Sequence, residues 1–236
     1  MINNFYKYVD NFDLNNEKVL GKKKHSVRVQ EISIELAKSL DLSDEEIEVA
    51  GIIGLLHDIG RFIQIRDYNT FNDNKSIDHA LLGVKILFED NLIESFCKDK
   101  NYYSIIKKAI FYHNKYSLPN NLDKKTLMFC KIIRDADKLD IFQIKYDENI
   151  DDKNKEISEK VLMAFLNEEL VLTKDLEMPG DYIMFYISFI FDINYDYSFN
   201  QIVEKNYMNS FIEKLSVDNI EQIKTKVDEY IRKRIS

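Results

Sequence analysis

The chain of 236 residues contains four histidines, His25, His57, His79 and His113, and each falls on the apolar stripe of a segment with helical periodicity. His25 is followed by Val29, Ile32 and Leu36 at offsets of four, seven and eleven. His79 is followed by Leu82, Gly83 and Ile86 at three, four and seven. His113 is preceded by Ile106, Ala109 and Ile110, and His57 continues the line Ala50, Ile53, Gly54. Residues so spaced share one face of a helix. All four imidazoles therefore face inward, from four different segments. One inward histidine is ordinary core; four of four argue for a common site.

Asp58 sharpens that reading. It follows His57 directly and borders the same buried face, four residues after Gly54 and eleven after Ile47. Burying an unpaired carboxylate costs several kcal/mol or forces its neutralisation. A divalent cation removes the conflict, because it neutralises the carboxylate and accepts neutral imidazole nitrogen. A further acidic segment is I-I-R-D-A-D-K-L-D-I-F, Ile132 to Phe142. Its apolar face is Ile132, Ala136 and Leu139, with Asp135 and Asp137 about 100° to either side of Ala136. Asp140 lies nearer the core, on the Asp137 side. Periodicity favours Asp137 with Asp140 in support and leaves Asp135 open; a solvated acidic face is the alternative, and Asp140 is poorly placed for it.

The elements that must carry these residues are helices. Two prolines and six glycines are few for a chain of many turns, which favours long helices over a sheet-rich fold. The pattern predicts helices over Lys22–Leu40, from Ser43 or Asp44 to about Gly60, and over Ser76–Asp90, Tyr102–His113 and Lys124–Lys145. Arg61–Lys75 reads as a surface loop, and Asp67, Asn72, Asp73 and Lys75 within it could shape a pocket mouth. Asp147–Lys155 reads as a linker or exposed loop. Beyond it come Glu156–Leu172, Asp181–Ile193, Phe199–Leu215 and Asn219–Arg234. Gly51 and Gly54 suit close approach of a neighbouring helix. The fold class is all-α, with a core over 1–146 and a helical extension over 156–236 packed on it.

Composition narrows the partners. A net charge of -8 disfavours broad binding to extended nucleic acid or an anionic membrane, while a local cation cluster or metal still admits a small anion. Cys97 and Cys130 form no spaced pair and read as reduced, buried thiols of a cytoplasmic protein. Met1–Leu20 lacks the continuous apolar region of a signal peptide. Tyr182–Phe191 is apolar over ten residues, about half of what a spanning helix needs, and reads as core. Capping of the site or a homodimer contact, through these and the Tyr195–Phe199 aromatics, are the alternatives.

His25, the doublet His57–Asp58 and a later aspartate resemble the H…HD…D pattern of the HD-domain metal-dependent phosphohydrolases. The surroundings fit as well: K-K-K-H-S-V-R-V, G-L-L-H-D-I-G-R and D-A-D-K-L-D, spanning Lys22 to Lys145. The resemblance implies an HD-domain helical bundle with additional C-terminal helices. It implies one divalent metal held by His25, His57, Asp58 and Asp137, the last supported by Asp140, with Asp135 as alternative. Some branches add two histidines for a second ion, bridged by the doublet aspartate; His79 and His113 stand in the matching order. Fe, Mn, Co, Zn or Mg would each suit.

The departures leave the branch open. Acids soon after the doublet, found in the guanosine-tetraphosphate and deoxynucleotide branches, are replaced here by I-G-R-F-I-Q-I-R. The glycine-tyrosine-proline signature of cyclic-dinucleotide phosphodiesterases and the His-Thr-x-Gly segment of bis-nucleoside tetraphosphatases are absent. The function implied is hydrolysis of a phosphoester or phosphoanhydride, in a nucleotide or other small phosphate ester, at a centre built on Asp58. Arg61 suits phosphate gripping as a forked donor; Lys138 is a weaker second, since the helical wheel sets it opposite the core. The alternatives are an HD-type di-iron oxygenase and a non-catalytic nucleotide-binding sensor.

Overall fold

The computed structural model describes residues 1–148 and 156–235, and the elements among them are α-helices joined by short 3₁₀ turns, without a strand. The all-α expectation holds. Most of the linker expected over Asp147–Lys155 lies outside the described residues.

The chain divides into two compact units, Met1–Asp137 and Lys138–Ser236. The first opens with α1 (Ile2–Val9) and α2 (Glu17–Ser39). The α2 start, five residues earlier than periodicity suggests, is fixed by Asn16, whose side chain accepts from the Lys18 amide. Next comes α3 (Asp44–Leu56), entered through a capping box in which Ser43 and Glu46 satisfy each other's backbone amides. Three acids in its first turn suit the positive end of the helix. Helices α2 and α3 pack along their length. Gly54 is the reason they can: a β-carbon there would sit 2.8 Å from the Val29 carbonyl and 2.9 Å from the Gln30 α-carbon. At Gly51 the constraint is milder, a 3.0 Å contact with the flexible Ile34 side chain.

The sequence reading of Arg61–Lys75 as a loop is corrected in its first half. Gly60–Tyr68 forms α4, closed by Asn69 in the left-handed conformation (φ 50°). Phe62, Gln64 and Ile65 face inward, and this short stripe is masked in the sequence by interleaved polar residues. Phe62 receives Phe5, Tyr8 and Phe12 around its ring, which seats α1. A loop with a 3₁₀ turn at Asp73–Lys75 leads to α5 (His79–Phe88), capped by Asp78, and then to α6 (Tyr103–Tyr112). Helices α4, α5 and α6 pack in sequence, and α3 also meets α6.

Helix α7 (Lys124–Asp147) runs through the division between the units. The second unit continues with α8 (Glu159–Leu166), α9 (Pro179–Ser188), α10 (Asp196–Glu204), α11 (Tyr207–Ile212) and α12 (Ile220–Ile235). Two predicted helices are shorter than periodicity suggests. Phe199–Leu215 is broken at Asn206, which adopts φ 55°, and the Glu156–Leu172 pattern stops at Leu166 before Glu168 at φ 62°. Apolar periodicity persists across such a break, because both pieces bury the same kind of side chain. In Tyr182–Phe191, Ile183, Met184, Ile187 and Ile190 are buried as core. Among the described residues no helix is long and apolar enough to cross a membrane.

Candidate metal centre

The break between α3 and α4 carries the doublet. His57 caps α3, and Asp58 follows in the turn that redirects the chain into α4. Gly60 makes that turn possible against α5: a β-carbon there would lie 2.2 Å from the His79 carbonyl oxygen and 2.7 Å from the Gly83 nitrogen. The doublet is thereby pressed against the first turn of α5, where His79 stands. His25 reaches the same place from the middle of α2, and His113 from the end of α6. All four histidines and Asp58 are buried, as the shared apolar stripes required.

The four imidazoles converge on one carboxylate, and they divide its oxygens between them. Asp58 Oδ2 lies 3.6 Å from His25 Nε2 and 3.5 Å from His57 Nε2. Asp58 Oδ1 lies 3.2 Å from His79 Nε2 and 3.7 Å from His113 Nε2. On the first side Asp137 completes the group, its Oδ1 3.2 Å from His25 Nε2 and 3.6 Å from His57 Nε2. Two sets of donor atoms close enough to share an ion result: His25, His57 and Asp58, and Asp58, His79 and His113.

Ring orientation fits a cation. His57 Nδ1 donates to the Gly54 carbonyl at 2.8 Å, His113 Nδ1 to the Ile110 carbonyl at 2.6 Å and His79 Nδ1 to Asp73 Oδ2 at 2.7 Å. A carbonyl or carboxylate oxygen only accepts, so each Nδ1 carries a proton, and a ring that is neutral turns its Nε2 lone pair inward. Burial lowers the pKa of both His79 and His113, the latter to about 4, and keeps them neutral. Their Nε2 atoms nevertheless face each other at 3.0 Å. Two lone pairs at that distance repel; His79, His113 and Asp58 would hold a divalent ion, whose charge would relieve that repulsion. Across the carboxylate the balance differs: burial opposes charge on His57, but Asp58 and Asp137 outweigh it and raise its pKa to about 10. A buried imidazolium there supplies the positive charge that a metal would otherwise bring. Asp58 and Asp137 are held well below the usual carboxylate range; burial pushes them up, and Lys22 with His57 for the first, His25 with His57 for the second, prevail.

The model of the HD-domain family matches residues 23–141, half of the chain and every residue of this cluster. The chain belongs to the HD-domain family. Comparison with curated proteins and with solved structures returns no match. HD domains are helical and largely those of metal-dependent phosphohydrolases, and the His/Asp cluster here is compatible with a divalent metal.

Arg61 is not a solvated surface cation. Its Nη1 donates to Gln64 Oε1 (2.7 Å), the Phe71 carbonyl (2.6 Å) and Asp73 Oδ1 (2.9 Å), and its Nε lies 3.6 Å from Asp58 Oδ1. Asp135 and Asp140 are both buried. Lys138 corrects the wheel: it is only 7% exposed and pairs with Asp192 at 2.6 Å, so it is not set toward solvent.

Two cations escaped the sequence reading. Lys22 stands one turn before His25 and brings its ammonium 2.5 Å from Asp58 Oδ2; the three-residue spacing to His25 was its one available signal. Arg134, buried in α7, donates to the carbonyls of Tyr112, His113 and Lys115 and so fixes the end of α6 that carries His113. Nothing local in the sequence marks such a cap.

Proposed function

We infer that this HD domain is a metal-dependent phosphohydrolase acting on a nucleotide or another small phosphate ester. One observation carries the reading: the two oxygens of Asp58 each face a separate pair of Nε2 atoms. That arrangement supports two ions, one toward His25, His57 and Asp137 and one toward His79 and His113, with Asp58 between them. Bound there, divalent ions would lower the pKa of water toward neutrality and polarise a phosphoryl oxygen.

The chain's own residues do the rest. Asp58 orients both halves of the centre and is shielded from bulk water, with 4% of its side chain exposed. Arg61 Nε is buried and makes no hydrogen bond among the described residues. An unsatisfied guanidinium donor beside Asp58 suits a phosphate oxygen. Lys22, on the other oxygen, adds a second cation, and both cations lie over the Phe71 ring, at 5.4 and 5.6 Å from its centroid. An anionic substrate matches these groups better than dioxygen does, which weighs against the oxygenase reading.

The test is phosphate release from a panel of nucleotides with Mn or Co present, by the wild type and by Asp58→Ala. Wild-type turnover is expected, with a loss in the variant exceeding the roughly 10–100-fold that removal of an outer-layer partner gives. Equal activity in the variant would remove the centre from the mechanism. Tight nucleotide binding without turnover would select the sensor reading instead.

A further inference from the structure

Asp73 is a carboxylate that touches both halves of the machinery without itself facing Asp58. Its Oδ2 accepts from His79 Nδ1 at 2.7 Å and from Asn114 Nδ2 at 3.4 Å. Its Oδ1 accepts from Arg61 Nη1 at 2.9 Å and from Gln64 Nε2 at 2.8 Å. Gln64 is fully buried and also donates to the Ile77 carbonyl at 2.9 Å, which fixes the 69–78 loop to α4. Every hydrogen-bond partner of the Asp73 carboxylate is a donor. Only a side chain with acceptors on both of its terminal atoms satisfies them together.

Asp73, Asp78 and His79 also lie close enough to hold an ion of their own. Their bonds are spoken for, however. Asp78 Oδ1 caps α5 through the Ala80 and Leu81 amides, its Oδ2 pairs with Lys115, and His79 Nδ1 is committed to Asp73. The trio is an anchor for His79.

The geometry points to Asp73 as a positioning residue that couples the His79–His113 metal subsite to the Arg61 anion subsite: one oxygen fixes the His79 tautomer, the other the guanidinium. This rests on the two-ion phosphohydrolase reading. A carboxylate behind a ligand histidine sets its orientation and raises its basicity, and its loss lowers metal affinity about 10–100-fold. Asparagine keeps the shape but turns one acceptor into a donor, so Asp73→Asn must abandon either His79 or Arg61.

The experiment is titration of the metal-free full chain with Mn(II), free ion being read by electron paramagnetic resonance, alongside steady-state kinetics. The wild type is expected to bind two equivalents. Asp73→Asn is expected to keep the first within about twofold and to weaken the second about 10–100-fold. Saturating Mn(II) should then restore kcat while KM stays raised, because Arg61 has lost its brace. A merely structural role would not split kcat from KM in this way. Two equivalents bound by the variant with wild-type affinity overturns the proposal and leaves the phosphohydrolase reading standing; fewer than two in the wild type removes the two-ion reading and the proposal with it. A second measurement avoids the variant: long-range nitrogen–proton NMR on the Zn(II)-loaded wild type should show His79 protonated at Nδ1. Protonation at Nε2 would overturn the coupling.

Discussion

Without metal, the charges of the cluster make a pH prediction that belongs to single residues. His57 is raised from 6.5 to about 10, so the folded chain holds a proton that the unfolded chain gives up. That stabilisation is complete below pH 6.5 and is lost as pH rises through 10. His113 is lowered to about 4 by burial; the unfolded chain takes up a proton that the folded chain refuses, and stability falls as pH drops from 6.5 toward 4. The metal-free protein should therefore show its highest urea midpoint near pH 6.5, falling on both sides. Bound metal would take the place of the His57 proton, so the loaded protein should not lose stability between pH 6.5 and 9. A metal-free midpoint that climbs steadily to pH 9 would contradict this charge pattern. The four histidines and Asp58 were legible because burial and identity suffice to single them out. Asp73 was legible only as part of a pocket mouth, and Lys22 only through its three-residue spacing to His25. Their roles depend on where a loop or a flexible stem delivers a charge, and periodicity does not encode that.

At the scale of elements, the site is held by how closely two pairs of helices approach, and both approaches run through glycine. Gly60→Ala would place a β-carbon 2.2 Å from the His79 carbonyl, against backbone that no rotamer change can relieve. Helices α4 and α5 must part, and His79 moves with α5. The expected cost is about 1–3 kcal/mol, read as a fall in Tm of roughly 2–4 °C per kcal/mol for a chain of this size, with weakened binding of the second Mn(II). Gly21→Ala is the control: nothing lies within 4 Å of its added β-carbon, and replacing a mid-helix glycine by alanine stabilises by roughly 0.5–1 kcal/mol. Equal effects of the two changes would show that contact at Gly60 does not position α5. The sequence makes Gly51 and Gly54 visible as a small-residue face on α3, and Gly54 meets the α2 backbone as expected. Gly60 reads there only as the end of a helix. Its function is set by α5, which approaches from nineteen residues further on. Helix α4 was hidden for a related reason, since its buried Gln64 looks like solvent-facing polarity until the 69–78 loop supplies the partners.

For the whole molecule, the question is how a chain of net charge -8 receives an anion. Lys22 and Arg61 reverse the field at Asp58 only locally, and bound metal would extend that reversal by no more than about the 10 Å screening length at 0.1 M salt. A mononucleotide fits inside that range; the phosphates of a longer oligonucleotide reach progressively beyond it, where the net negative charge of the chain opposes them. The proposed enzyme should accordingly show kcat/KM falling as nucleotides are added to the same terminal phosphate ester. Raising salt from 50 to 300 mM should narrow the gap by screening repulsion, the opposite of the steep salt-induced weakening that marks nucleic-acid binding through many phosphate contacts. Affinity that grows with oligonucleotide length and collapses with salt would replace the small-phosphate reading with a nucleic-acid one. The prediction draws on the balance of charge between one pocket and the rest of the chain, so it holds whichever nucleotide proves to be the substrate.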